Sequence, residues 1–248
     1  MLRIVAAFIM LALVGQFGAA PARAADAAAF SAGQKEELKK LIRSYLLENP
    51  EVIAEALTEL DSREAKNKVA KRTNVLVSRR QEILNPSEGT IIGNPKGDVT
   101  VVEFFDYNCG YCKSMFQAMS EVLKEDTKMR LVLKEYPILG PSSVSASRAA
   151  LASRKQGKYA DFHLALLGYK GSLSDSVVMV IAQNVGLDVR KLQDDMKDPA
   201  ITEILVKNHD LAEALGVDGT PQLIIGDVFL PGAVPKQELV AAIAKARK

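Results

Sequence analysis

Cys109-Gly110-Tyr111-Cys112 places the two cysteines of this 248-residue chain three positions apart. The residues on either side constrain what can fold around them. Val99-Thr100-Val101-Val102-Glu103-Phe104-Phe105 predicts a buried strand, and Met115 to Leu123 predicts an amphipathic helix. A C-x-x-C where a strand meets a helix is the arrangement of a thiol redox site. Unpaired N–H groups and the positive dipole end of the helix favour a thiolate at its first turn, so Cys109 is the expected nucleophile. Asn108 is the expected N-cap. Cys112, one turn on, is the expected resolving thiol, close enough to close a disulfide with Cys109. A bridge over two residues removes little entropy from the unfolded chain, so the pair suits opening and closing better than stabilising a fold.

The start of the chain predicts export. Arg3 is a short positive region, Ile4 to Val14 is apolar, and Ala22-Arg23-Ala24 is a small-x-small cleavage site, which together predict a signal peptide over 1–24. The alternative is an uncleaved anchor. No later segment is long and apolar enough to span a bilayer, so the mature chain is expected in the periplasm, where disulfides persist. Charge argues against nucleic acid. The whole chain has 32 Lys and Arg against 30 Asp and Glu, and removing 1–24 takes Arg3 and Arg23 and no acid, leaving 30 against 30. Trp is absent, so the cores must rest on Leu, Val, Ile and Ala.

Two parts follow. Residues 25–86 predict a helical oligomerisation module and linker. Ser31 and Gln34 precede Leu38, Leu41, Ile42, Tyr45 and Leu46 at helical spacing; Asn49-Pro50 breaks that helix, and Ile53, Ala56, Leu57 and Leu60 continue an apolar face. Two such helices cannot close a core alone, which favours a second copy of the chain over docking within it. Ser62 to Arg80 is polar and reads as a solvated helix or a flexible arm. Residues 87–248 predict an α/β domain. Strands are expected at Val99–Asp106 and Met129–Tyr136, with a helix at Cys109–Lys124 between them. Helices follow at Val144–Gln156, Ala160–Gly168, Asp175–Gly186 and Ile201–Leu215, then a hairpin of Gln222–Ile225 and Asp227–Leu230, and a helix at Gln237–Arg247.

That order, the string Phe104-Phe105-Asp106-Tyr107-Asn108-Cys109-Gly110-Tyr111-Cys112, and Leu215-Gly216-Val217-Asp218-Gly219-Thr220-Pro221 before the hairpin resemble the DsbA-like branch of the thioredoxin fold. The inserted helical domain would span about 141–216. The N-terminal module is similar to that of ScsC-type proteins, exported relatives linked to copper tolerance, some of which form trimers and act as disulfide isomerases. The resemblance implies a cis bond before Pro221 facing the cysteines, and a Thr220 of the isomerase pattern where DsbA carries valine. It also implies that Glu103, six residues before Cys109, is a buried acid that moves protons as Cys112 ionises. Gly110 and Tyr111 would tune the potential. The DsbA spacer carries a histidine that this one lacks, so the Cys109 thiol is expected to titrate between about 3.5, as in DsbA, and about 7, as in thioredoxin. Lys113 is expected to point to water.

Other chemistries fit less well. His163 and His209 are far apart and follow no zinc spacing; His163 is expected to pack and His209 to be exposed. Lys113 stands where a C-x-x-C-H haem site needs histidine. Two thiolates could hold copper(I), which leaves a copper carrier as the non-enzyme alternative. The reading is an exported thiol–disulfide isomerase or reductase needing no cofactor, with a DsbA-like primary oxidase as the alternative. Its expected partners are unfolded or misfolded proteins, a membrane reductase of the DsbD or ScsB type, and further copies of itself as a dimer or trimer.

Overall fold

The computed structural model describes residues 30–86 and 89–247; the expected signal peptide and its cleavage site lie outside the described residues. The chain divides between Leu60 and Asp61 into two compact units.

The first unit is helical. Helix α1 (Ala32–Glu48) starts at a capping box in which the Ser31 side chain accepts from the Gln34 N–H and Gln34 accepts from the Ser31 N–H. Asn49 ends it, and α2 (Glu51–Ser78) begins immediately after Pro50. Neither helix holds a buried residue. Leu38, Leu41, Ile42, Tyr45, Ile53, Leu57 and Leu60 are all exposed.

The second unit contains the rest of α2. The stretch from Ser62 to Arg80 is helical up to Ser78, and Val75 and Leu76 pack against a buried cluster. Helix α3 (Arg80–Leu84) adds Ile83, which is 2% exposed. A five-stranded sheet follows, built from β1 (Ile91–Gly93), β2 (Val99–Phe105), β3 (Met129–Glu135), β4 (Gln222–Ile225) and β5 (Val228–Pro231), in the order β1-β3-β2-β4-β5. Strands β2 and β3 are parallel and joined through α4 (Gly110–Glu125); every other pairing is antiparallel. The insertion comprises α5 (Pro141–Ala152, extended by a 3-10 turn), α6 (Tyr159–Gly168), α7 (Asp175–Asn184), α8 (Val189–Asp195) and α9 (Pro199–Leu215). Helix α10 (Lys236–Ala246) closes the chain.

Strand β2 is central and covered on both faces, which is why it reads as an unbroken apolar run. Val99, Val101 and Phe105 point to the side packed by α4, α10 and the insertion, whereas Val102 and Phe104 point to the side packed by Ile83, Leu211 and Leu215. Alternation puts Glu103 on the α4 side with Val101 and Phe105.

The structure departs from sequence expectation at four elements. Strand β1 has no counterpart among the expected elements, because three residues are too short for a periodic signal. Gly93 within it has φ +82, and a Cβ there would lie 2.6 Å from the Met129 carbonyl, so glycine permits the close pairing with β3. Helix α8 is likewise too short to show a period. Helices α5 and α9 begin earlier than expected, because Pro141 and Pro199 occupy first-turn positions where the missing N–H costs nothing.

The docking of α3 is directly testable. Ile83→Ala should lower the unfolding free energy of the protein by about 2–5 kcal/mol, as expected for a fully buried branched side chain. Urea denaturation with an unchanged m-value would show it, and a loss below about 0.5 kcal/mol would mean that this segment does not belong to the core.

Candidate active site

Strand β2 delivers the chain to a tight turn at Asp106-Tyr107-Asn108, and α4 starts at Gly110. The N-cap is Cys109, with extended backbone (φ −73, ψ 119), and not Asn108 as the sequence suggested. Asn108 is drawn elsewhere. Its amide donates to Ser142 and Ser143 hydroxyls at 3.2 and 3.3 Å, and its oxygen accepts from the Leu173 N–H at 2.8 Å. The turn is held by Asp106, whose buried carboxylate accepts from the N–H groups of Asn108, Ile138 and Leu139 and from the Ser143 hydroxyl, at 2.7–3.0 Å.

Both cysteines are free thiols. Cys109 is 6% exposed and Cys112 is fully buried. Their acidities diverge. A hydrogen bond from the Cys112 side chain is the main cause that brings the Cys109 thiol down to about 5; the Thr220 side chain and the backbone N–H groups of Cys112 and Tyr111 help, against the opposing effect of burial. The same hydrogen bond between the sulfurs pushes Cys112 far up, together with burial and the nearby charge of Glu103. Tyr111 thus acts through its backbone N–H, while its ring is 70% exposed beside the site, and Gly110 makes no contribution of this kind.

The Thr220–Pro221 peptide is cis. Thr220 presents its carbonyl 3.2 Å from Cys109 Sγ, where the thiol can donate to it. Glu103, Cys109, Cys112, Thr220 and Pro221 are therefore gathered by three elements: β2, the start of α4, and the loop before β4. Glu103 is 3% exposed. Burial, and secondarily the Cys109 charge, raises its carboxyl to about 8. Lys113 does not point freely to water. Its ammonium donates to the Gly171 carbonyl and lies 5.8 Å from the Tyr169 ring centre, and the partial burial of that position lowers its pKa. The long stem lets it reach across from α4 to the α6–α7 loop.

Sequence reasoning missed a further buried acid besides Asp106. Glu135, at the end of β3, shares a sheet face with Leu131 and Leu133. It accepts from Tyr107 (3.1 Å), Tyr159 (2.9 Å) and Ser147 (2.7 Å), and burial still raises it to about 8. Tyr107 also lies 3.0 Å from Nδ1 of His163, whose imidazole is kept neutral by burial with its pKa at about 3. Strand alternation placed Glu135 inward; its partners, 12 to 28 positions away, left no local signal. His209 is on the surface, 3.8 Å from Glu213. Among the described residues, His209, Asp210 and Glu213 come within metal-ligating distance of one another, and that exposed cluster includes neither cysteine. The two sulfurs are the soft donors available to a monovalent metal.

Residues 100–244 match the DSBA-like thioredoxin domain, and residues 34–66 match the copper resistance protein ScsC N-terminal domain. Solved structures resemble the chain over most of their own length. A thioredoxin-like oxidoreductase from Silicibacter pomeroyi DSS-3 is 45% identical, with 68% of this chain and 97% of that one covered and a TM-score of 0.66. Proteus mirabilis ScsC in a transitional conformation is 28% identical over 89% of this chain and 98% of its own, with a TM-score of 0.65. Salmonella enterica Typhimurium BcfH is 26% identical over 87% and 97%, with a TM-score of 0.70. Among curated proteins, Na(+)/H(+) antiporter NhaA 1 of Salinispora arenicola is 27% identical over 165 residues, which are 66% of this chain and 25% of the antiporter. The chain thus spans about a quarter of the length of the curated relatives it matches.

The acidities predict opposing pH dependences. Glu103 is protonated in the native state up to about 8, so its contribution to stability is full below the carboxylate range of the unfolded chain and is lost as pH rises through 8; Glu135, also raised to about 8, acts in the same sense. Cys109 ionises in the native state at about 5, so its contribution is full above the unfolded thiol value of about 8.5 and is lost as pH falls through 5. Glu103→Gln should therefore make the unfolding free energy of the reduced protein change less negatively with pH, by up to about 1.4 kcal/mol per pH unit. Urea melts at about pH 5.5 and about pH 7.5 measure it. Equal slopes in the two proteins would refute the assignment.

Proposed function

Because the chain belongs to the DSBA-like thioredoxin domain family, we propose that it is an exported thiol–disulfide oxidoreductase that isomerises or reduces wrongly paired disulfides in periplasmic proteins. The observation that carries this reading is the divergence of the two thiols: Cys109 is acidic and keeps a small exposed area, Cys112 is fully buried and reluctant to ionise. Only a thiolate attacks a disulfide, and only a protonated second thiol leaves the first free to do so.

In the proposed cycle, Cys109 attacks one sulfur of a client disulfide. The client S–S bond breaks, a mixed disulfide forms, and the displaced client thiolate takes a proton. Attack by another client thiolate on the client sulfur of the mixed disulfide releases Cys109 as the thiolate, leaving a rearranged client with no net electron transfer. Attack by Cys112 on Cys109 instead forms the Cys109–Cys112 disulfide and leaves the client reduced by two electrons. That route needs Cys112 to lose its proton. Glu103, buried beside the pair, is the proposed acceptor in its ionised form, a fraction that grows as pH approaches about 8, so this route should quicken with pH over that range. A membrane thiol–disulfide reductase would restore the dithiol.

Two features favour isomerase or reductase over primary oxidase. Residue 220, ahead of the cis-proline, is threonine, the residue of the isomerase pattern, and its side chain is among the groups that favour the Cys109 thiolate. The apolar side chains of α1 and the first part of α2 are uncovered, which suits a dimer or trimer that presents several redox sites to one client. The match of residues 34–66 to a copper resistance domain supports a second reading, copper(I) carriage by the two sulfurs. A carrier would bind the ion tightly and turn over scrambled client poorly.

Scrambled ribonuclease separates these readings. The reduced protein should restore activity, and Cys109→Ser should abolish it. Cys112→Ser should retain part of the isomerisation while accumulating mixed disulfides. Replacing Leu41 and Leu57 with Glu should yield a monomer in sedimentation that loses isomerisation and keeps thiol oxidation. A wild-type monomer that oxidises reduced clients fast and rescues no scrambled ribonuclease would overturn the isomerase reading.

A further inference from the structure

Arg72 lies between the two matched segments, 34–66 and 100–244, on the part of α2 that belongs to the same compact unit as the redox site. Its surroundings are specific. Arg72 Nε donates to the Leu215 carbonyl at 3.1 Å. Its guanidinium carbon is 3.5 Å from the ring centre of Phe229. One turn earlier, Lys68 Nζ is 2.8 Å from Asp218 Oδ2.

These partners bracket one short stretch of chain. Leu215 is the last residue of α9, so its carbonyl has no acceptor role within the helix and stands at the negative end of the helix dipole, where a cation is favoured. Phe229 lies on β5 opposite Ile224 of β4, the strand that begins directly after Pro221. Between these two anchors runs Gly216-Val217-Asp218-Gly219-Thr220-Pro221, which carries the carbonyl set against Cys109 Sγ. Gly216 has φ +67, a conformation that favours glycine, and the Lys68 stem lies against it, 3.3 Å from where a Cβ would be.

We propose that Arg72 is a positioning residue for the redox site: by gripping the end of α9 and the face of Phe229, it sets the loop that holds Thr220 against Cys109. The planar guanidinium suits this task. One edge donates to a carbonyl while the face stacks on an aromatic ring, a combination that an ammonium cannot reproduce. The Lys68–Asp218 pair is exposed on both sides and adds little hold. The loop carries two Thr220 groups: the carbonyl accepts from the protonated thiol, whereas the side chain is among the causes that bring the Cys109 thiol down, and it is this side-chain support that loosening the loop withdraws.

The inference rests on Cys109 being the acidic thiol, which the wild-type protein alone can show. Alkylation of the full chain against pH should give a low-pH step from Cys109; without it the proposed function fails, whatever Arg72 does. Given that step, Arg72→Ala and Phe229→Leu should each move its midpoint upward by about half a pH unit or more, a roughly threefold loss of thiolate stabilisation. Both should shift the glutathione equilibrium toward the disulfide, and Lys68→Ala should do much less. Phe229→Leu keeps the charge of Arg72 and loosens its seat, so it separates position from charge. It carries the test together with Arg72→Lys if the alanine variant folds poorly. A lower unfolding midpoint with unchanged thiol titration and unchanged glutathione equilibrium would overturn the proposal, leaving Arg72 a purely structural role. So would complete rescue by Arg72→Lys, or a shift in Arg72→Ala that Phe229→Leu does not share.

Discussion

One hydrogen bond between two sulfur atoms governs the chemistry of this molecule. Cys112 donates to Cys109, and the proton they contest is thereby fixed on the inner atom. Each thiol's acidity is defined by the other's: the outer one can ionise because the inner one does not. Helix α4 supports the split through backbone N–H groups of its first turn, a contribution that needs no charged side chain in the spacer. That is why Gly110-Tyr111, neutral and partly solvated, is compatible with an acidic Cys109.

Around that pair the fold concentrates buried acid. Glu103 and Glu135 lie on the same side of the sheet, on neighbouring strands, and both titrate well above the usual carboxylate range. Their surroundings differ. Burial and the charge of Cys109 act on Glu103, which is coupled to the sulfurs. Glu135 is enclosed by two tyrosines and a serine and faces the insertion. The first is the group proposed to exchange a proton with the sulfurs; the second joins helices α5 and α6 to the end of β3 through Ser147 and Tyr159.

The cysteine pair, the central strands and the inward position of Glu103 were legible from sequence because each is a local pattern, a spacing or an alternation; the Thr220-Pro221 loop was legible only through its resemblance to the DsbA-like branch. Asn108 shows where such reading fails. Its residue type favours an N-cap, but hydroxyls on α5 and the N–H of Leu173, 34 to 65 positions away, compete for the side chain and win. Lys113, Glu135 and Arg72 follow the same logic. Their partners are separated from them by long stretches of chain, and composition near each residue is silent about what folding brings alongside. The polar run from Ser62 to Arg80 was ambiguous for a related reason: its few apolar residues, Val75 and Leu76, acquire meaning only against the cluster they cover.

The sheet is meagre at its borders. Its outermost strands, β1 and β5, contain three and four residues, and β5 ends at Pro231, which has no amide hydrogen to offer a neighbour. A long, flat border would be a template on which any extended polypeptide could add itself rung by rung. A protein whose proposed clients are misfolded chains meets such polypeptides continually. Under the proposed function, brief, interrupted borders would let it hold a client through one sulfur and a short stretch of backbone, then let go, without becoming the seed of an aggregate.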